Sequence, residues 1–165
     1  MKYILKQKIL SWDTNYYLYN EQGENIFIIR GKANWNHKLK IYNIEGKELG
    51  MLYLSGSKLN SIYYICDENE KEIGCFEKKM KLFKPSYRIV YNSWVLDKNF
   101  KNIPYSIYDG TASLIGKIDI VPNMASTYEI DVPNEYNAVN VIMLIFAIEL
   151  EKENNIRNIT VDVDK

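Results

Sequence analysis

The residues with the most chemical potential in this sequence are cations. Lys78, Lys79, Lys81, Lys84 and Arg88 crowd into one short segment. In a strand over residues 78–83, Lys79 and Lys81 share one face, and Met80 and Leu82 share the other. A basic strand face attracts anionic headgroups at about 1 kcal/mol per charge near a membrane surface. The same pattern also describes the solvated outside of a barrel. These five residues are the candidate ligand-binding site. The other reactive side chains are isolated. His37, in Trp35-Asn36-His37-Lys38, has no Ser, Cys or Asp motif to complete a triad, so it reads as a surface or packing residue and no catalytic residue is assigned. Cys66 and Cys75 flank the turn 67–71 and read as reduced thiols. The acidic run Asp67, Glu68, Glu70 and Glu72 lacks the ligand spacing of an EF-hand and reads as a solvated turn. No Gly-rich phosphate loop is present, and neither a metal nor a cofactor is expected.

Something must hold those cations in place. The chain has 165 residues, enough for one domain over 1–165 that buries roughly two-thirds of its unfolded surface. It is 47% hydrophobic and 25% charged, an ordinary globular composition. Lys plus Arg and Asp plus Glu both number 21, and a net charge of zero argues against nucleic acid as the main partner. The zero conceals a division: residues 1–101 carry 17 basic against 11 acidic side chains, and residues 102–165 carry 4 against 10.

The chain repeats a short unit of alternating strand, polar turn and return strand. Leu39–Asn43 with Leu49–Leu52 is the clearest copy, Ile62–Asp67 with Glu72–Phe76 the second, and Tyr105–Tyr108 with Leu114–Ile118 the third; Tyr17–Asn20 with Ile26–Ile29 is looser. Asn, Asp and Gly in the turns tolerate the positive φ of tight hairpins. Gly50, Gly74 and Gly116, just inside the return strands, suggest bulges or close backbone approach. Adding Tyr3–Ile9, Lys78–Phe83, Tyr87–Tyr91 and Tyr128–Val132 gives about twelve strands, and so an antiparallel barrel or sandwich.

One helix follows, over about residues 135–153, with Asn134 as its cap and Asn154-Asn155 as its end; residues 156–165 suggest an extra strand. Its segment Ala138–Ile148 is apolar except for Asn140. Eleven helical residues span about 16 Å, too short for a hydrocarbon core of about 30 Å. A helix apolar on every side must therefore be enclosed by protein or lie partly in a bilayer interface, and Glu149, Glu151 and Glu153, which an anionic membrane would repel, favour the enclosed reading. The N-terminus is too interrupted by Lys for a signal peptide, so a cytoplasmic protein, peripheral to a membrane at most, is expected.

Several of these stretches resemble one family. Tyr3–Lys8, Tyr17–Gly23 through Arg30-Gly31-Lys32, the IYNIEGKELGML unit, Lys78–Phe83, Ser126–Ile130 and the apolar helix are similar in order and spacing to LURP-one-related proteins. The resemblance implies the Tubby C-terminal-like fold shared with phospholipid scramblases, a closed twelve-stranded barrel threaded by a hydrophobic helix. Tubby domains bind phosphoinositide headgroups and scramblases act on phospholipids, so the resemblance suggests a non-enzymatic module for phospholipid headgroups or other anionic ligands, with no headgroup site carried over residue by residue. The alternative is a protein-interaction or structural module whose basic and acidic regions meet different partners.

Overall fold

A computed structural model describes residues 1–163, with side chains through Asn155. Twelve strands form one antiparallel sheet: β1 (Lys2–Leu5), β2 (Asn15–Tyr19), β3 (Asn25–Gly31), β4 (Lys38–Asn43), β5 (Glu48–Gly56), β6 (Ser61–Cys66), β7 (Glu72–Lys81), β8 (Lys84–Val90), β9 (Val95–Leu96), β10 (Tyr105–Tyr108), β11 (Leu114–Ile120) and β12 (Tyr128–Asp131). Their order is β8-β7-β6-β5-β4-β3-β2-β1-β12-β11-β10-β9. The N-terminal strand is thus inserted between β2 and β12, with Tyr3 opposite Ile130. The sheet curls until β8 and β9 touch, but no ladder joins them, so the barrel is nearly closed rather than closed.

The helix α1 (Ala138–Val163) fills the barrel. From Val141 to Ile148 every residue is at most 3% exposed, so no face of this stretch meets water. Each large apolar side chain there contributes about 1.5–3 kcal/mol on full burial. Phe146 packs edge-on against Tyr16 at 5.0 Å. The void left between helix and sheet, beside Met143 and Phe146, is only about 10 Å³. Asn134 does cap the start: its side chain accepts from the Tyr136 amide at 3.1 Å, closing a 3-10 turn (Glu135–Asn137) that leads into α1.

Several expectations need correction. The helix does not stop at Asn154-Asn155 but continues to Val163, so residues 156–163 form no strand; residues 164 and 165 lie outside the described residues. Asn costs a helix well under 1 kcal/mol, and no Gly or Pro follows Pro133 to break it. Glu149, Glu151 and Glu153 therefore lie mid-helix. The strand over 78–83 is not separate: Lys78–Lys81 continue β7, and Leu82-Phe83 form the turn into β8. The short β9 was not foreseen, and β1 ends at Leu5 instead of Ile9.

The recurring Gly marks a real device. In the hairpins β4–β5, β6–β7 and β10–β11 the register shifts one residue before Gly50, Gly74 and Gly116. The bulge bends the return strand; at Gly50 and Gly116 the missing side chain makes room for Met143 and Val141 of the helix, and at Gly74 for Val90 and Tyr91. A Cβ on Gly116 would lie 2.5 Å from Val141 Cγ1. Gly116→Ala should therefore cost about 1–3 kcal/mol through overpacking, lowering the Tm by roughly 2–10 °C in a thermal melt.

Candidate functional site

The pairing of β7 with β8 decides where each cation points. Glu77 lies opposite Arg88, Lys79 opposite Ser86 and Lys81 opposite Lys84. Directly opposed residues share a face, so Lys79, Lys81, Lys84 and Arg88 all project from one side of this hairpin, outward. Glu77 holds Arg88 through Oε1, and Lys79 Nζ approaches the same oxygen at 3.7 Å. One carboxylate cannot neutralise four cations. Lys81 and Lys84 are like charges directly across the ladder, an arrangement that destabilises a sheet.

Lys78 is not part of that face. Alternation turns it inward, opposite Tyr87, where its side chain is 9% exposed. Its Nζ lies 3.6 Å from Glu151 Oε1, 3.3 Å from the Lys58 carbonyl and 3.4 Å from Asn155 Oδ1. Glu151, 2% exposed, also accepts from Ser61 Oγ at 3.1 Å and from the Tyr63 hydroxyl. Burial, reinforced by Glu151, holds the Tyr63 phenol protonated far above its usual range. This buried polar cluster anchors the helix to β6 and β7 where α1 leaves the barrel. In the sequence Lys78 groups with the other cations, and nothing there connects it to Glu151, far downstream; the alternation that separates Lys78 from Lys79 is the available signal.

Charge is also sorted along the barrel axis. Following the antiparallel strands, the loops 6–14, 32–37, 57–60, 82–83, 97–104 and 121–127 all lie at one end, where the helix emerges. They carry Lys6, Lys8, Lys32, Lys58, Lys98 and Lys101 against Asp13 and Asp97. The turns at the opposite end carry Glu21, Glu24, Glu45, Asp67, Glu68, Glu70, Asp109 and Glu135 against Lys47 and Lys71. The division is between rims, which the split at residue 101 only partly anticipates. The outward face of β7–β8 ends on the basic rim.

Two clefts open on that rim, on either side of α1. One, of about 580 Å³, is lined by Trp12, Lys32, His37, Lys58, Tyr63 and Leu150, among others. His37 sits there at φ 63°, its ring 5.7 Å from that of Trp12. The second, of about 400 Å³, includes Lys8, Ile103, Tyr128, Glu149 and Lys152. The helix thus fills the barrel interior but leaves concave ground around its exit, which the notion of a plugged barrel overlooks. Trp94 is buried, whereas Trp12 and Trp35 are half-buried at the rim.

The acidic turn is dispersed into structural roles. Asp67 Oδ1 accepts from the Asn69 and Lys71 amides, Glu70 pairs with Lys40 at 2.7 Å, and Glu72 accepts from Tyr53. Among the described residues no group of three or more His, Cys, Asp or Glu side chains is placed to hold a metal ion. Cys66 and Cys75 are both free and buried, and they do not face each other: Cys66 opposes Glu72, and Cys75 opposes Tyr64. No helix among the described residues is long and apolar enough to cross a membrane.

Residues 1–149 match the family model described as LURP-one-related. The chain belongs to the LURP-one-related family. An X-ray structure of a protein from Arabidopsis thaliana superposes with a TM-score of 0.56 at 11% identity, covering 89% of this chain and 90% of that one. At that identity the likeness concerns the barrel fold alone. No curated protein matches the sequence.

Two outcomes are expected from the buried groups of this LURP-one-related barrel. Lys78→Met strands a buried carboxylate and should destabilise by about 3–5 kcal/mol in urea unfolding; Lys78→Met/Glu151→Met should be less destabilised than Lys78→Met alone. Burial, with Asp67 adding to it, pushes the Cys66 thiol from an ordinary 9.0 up to about 11. The folded state then keeps its proton while the unfolded state releases it. This contribution to stability is complete below pH 9 and lost as the pH rises through 11, measurable as a falling urea midpoint relative to Cys66→Ala.

Proposed function

We propose that this protein is a non-enzymatic module that binds phospholipid headgroups at an anionic membrane surface through the outward face of β7–β8. The observation that carries this reading is the gathering of Lys79, Lys81, Lys84 and Arg88 on one exposed hairpin face with a single compensating carboxylate, Glu77. Lys79 and Arg88 side chains are 51% and 64% exposed even while paired with Glu77, and Lys81 and Lys84 are exposed beside them. Each cation near an anionic leaflet is worth about 1 kcal/mol, and the basic rim adds to the same field. An anionic surface would also relieve the repulsion between Lys81 and Lys84. The proposed setting is cytoplasmic and peripheral to the membrane.

The acidic turns at the other rim favour a second reading, a protein-interaction module with a basic partner there. A stoichiometric protein recovered by pull-down, unaffected by lipid and lost on reversal of those acidic residues, would support it.

The headgroup reading is checked by co-sedimentation with vesicles of phosphatidylcholine and phosphatidylserine. Binding should weaken steadily with added salt as the Debye length contracts below about 10 Å. Lys79→Glu/Lys81→Glu should reduce the partition coefficient at low salt by at least about 30-fold. No sedimentation at low ionic strength, or equal binding by this variant, would sink the proposal.

A further inference from the structure

The turn that joins β7 to β8 breaks local rules of hairpin chemistry. It consists of Leu82 and Phe83, both in the left-handed region at φ 48° and 67°. A two-residue turn with both φ positive favours Asn-Gly, because larger side chains pay conformational energy there. Leu82 is nevertheless 94% exposed and Phe83 100% exposed. Neither packs on the barrel, so the folded monomer gains nothing from their being apolar. Immediately behind them stand Lys81 and Lys84, and Lys79 lies one same-face step, about 7 Å, further back.

We propose that Leu82 and Phe83 form a wedge that inserts between the headgroups of an anionic bilayer while Lys81 and Lys84 hold the phosphates around it. This rests on the headgroup reading above and specifies how the surface docks. The order of chemistry along the hairpin matches the depth profile of a bilayer: an apolar tip for the acyl boundary, about 5–10 Å down, then cations on flexible stems at headgroup level. A two-residue convex tip suits a fluid surface better than a protein groove, which would need a broader apolar patch. The neighbouring β5–β6 turn supports the same orientation. It presents Lys58 and Leu59, the latter 58% exposed, and is tied to the wedge strand where the Met80 amide donates to Asn60 Oδ1 at 3.3 Å. By contrast, exposed Ile44 and Tyr136 stand among the acidic turns of the opposite rim, which an anionic membrane repels.

The test is the variant Leu82→Asn/Phe83→Gly, which installs the residues that this turn geometry favours and so keeps or raises the thermal midpoint. Its partition onto phosphatidylcholine/phosphatidylserine vesicles should fall at least about tenfold, with the salt dependence of binding unchanged. An environment-sensitive dye on the Phe83→Cys variant should shift to the blue on those vesicles and be quenched by shallow lipid-borne quenchers. If Lys79→Glu/Lys81→Glu weakens binding but Leu82→Asn/Phe83→Gly does not, the wedge is wrong and the headgroup reading stands. If the unaltered protein ignores the vesicles, both fall. A dye shift without lipid, accompanied by a dimer in light scattering that Leu82→Asn/Phe83→Gly dissociates, would instead assign the tip to a second copy of the chain.

Discussion

Everything in this molecule depends on enclosing a helix that has no polar face. From Val141 to Ile148 the side chains are apolar all round, and water on any side of that stretch would cost several kcal/mol. A flat sheet can cover one side only. The strands must curl about the helix, and the hairpins β4–β5 and β10–β11 help by bulging at their return strands and leaving Gly50 and Gly116 against Met143 and Val141 of α1. Curvature, closure and core are one solution to one constraint.

That solution has a cost at the exit. Where α1 leaves the sheet, its backbone is satisfied internally but its side chains must pass from an apolar to an aqueous setting. Glu151 makes the transition: buried, yet held by Ser61, Tyr63 and Lys78 from two neighbouring strands. A buried ion pair of this kind adds little net stability compared with apolar packing. The contacts of Glu151 to Ser61, Tyr63 and Lys78 tie the helix to β6 and β7 at the point of exit. The clefts beside α1 are the space left over where the round sheet stops following the helix.

Much of the fold was legible in the sequence because period-two alternation and turn chemistry are local signals. The hairpins at Asn43, Asp67 and Asp109 are marked by an Asx residue whose side chain accepts from backbone amides across the turn. The Leu82-Phe83 turn carries no such marker, so β7 could not be seen to run through Lys81. Asn154-Asn155 resembles a helix stop by propensity alone, but without a Gly or Pro to enforce it the helix runs on to Val163. Of the candidate site, the shared face of Lys79 and Lys81 follows from alternation alone. That Lys84 and Arg88 join it while Lys78 leaves depends on cross-strand register, which a single strand does not encode. The sorting of charge between rims needs the full order of strands.

The position of β1 carries a consequence for how the chain is made. Its two neighbours are β2, which follows within about a dozen residues, and β12, which lies more than a hundred residues downstream. The helix that supplies the core is later still. During vectorial synthesis the ribosome therefore delivers nearly the whole wall before it delivers what the wall surrounds. Until β12 is made the first strand keeps one open edge, and until residues 138–150 follow the nascent sheet keeps an apolar lining, both open to other chains. The order of elements along the chain thus means that the apolar lining is covered only after residues 138–150 join the wall.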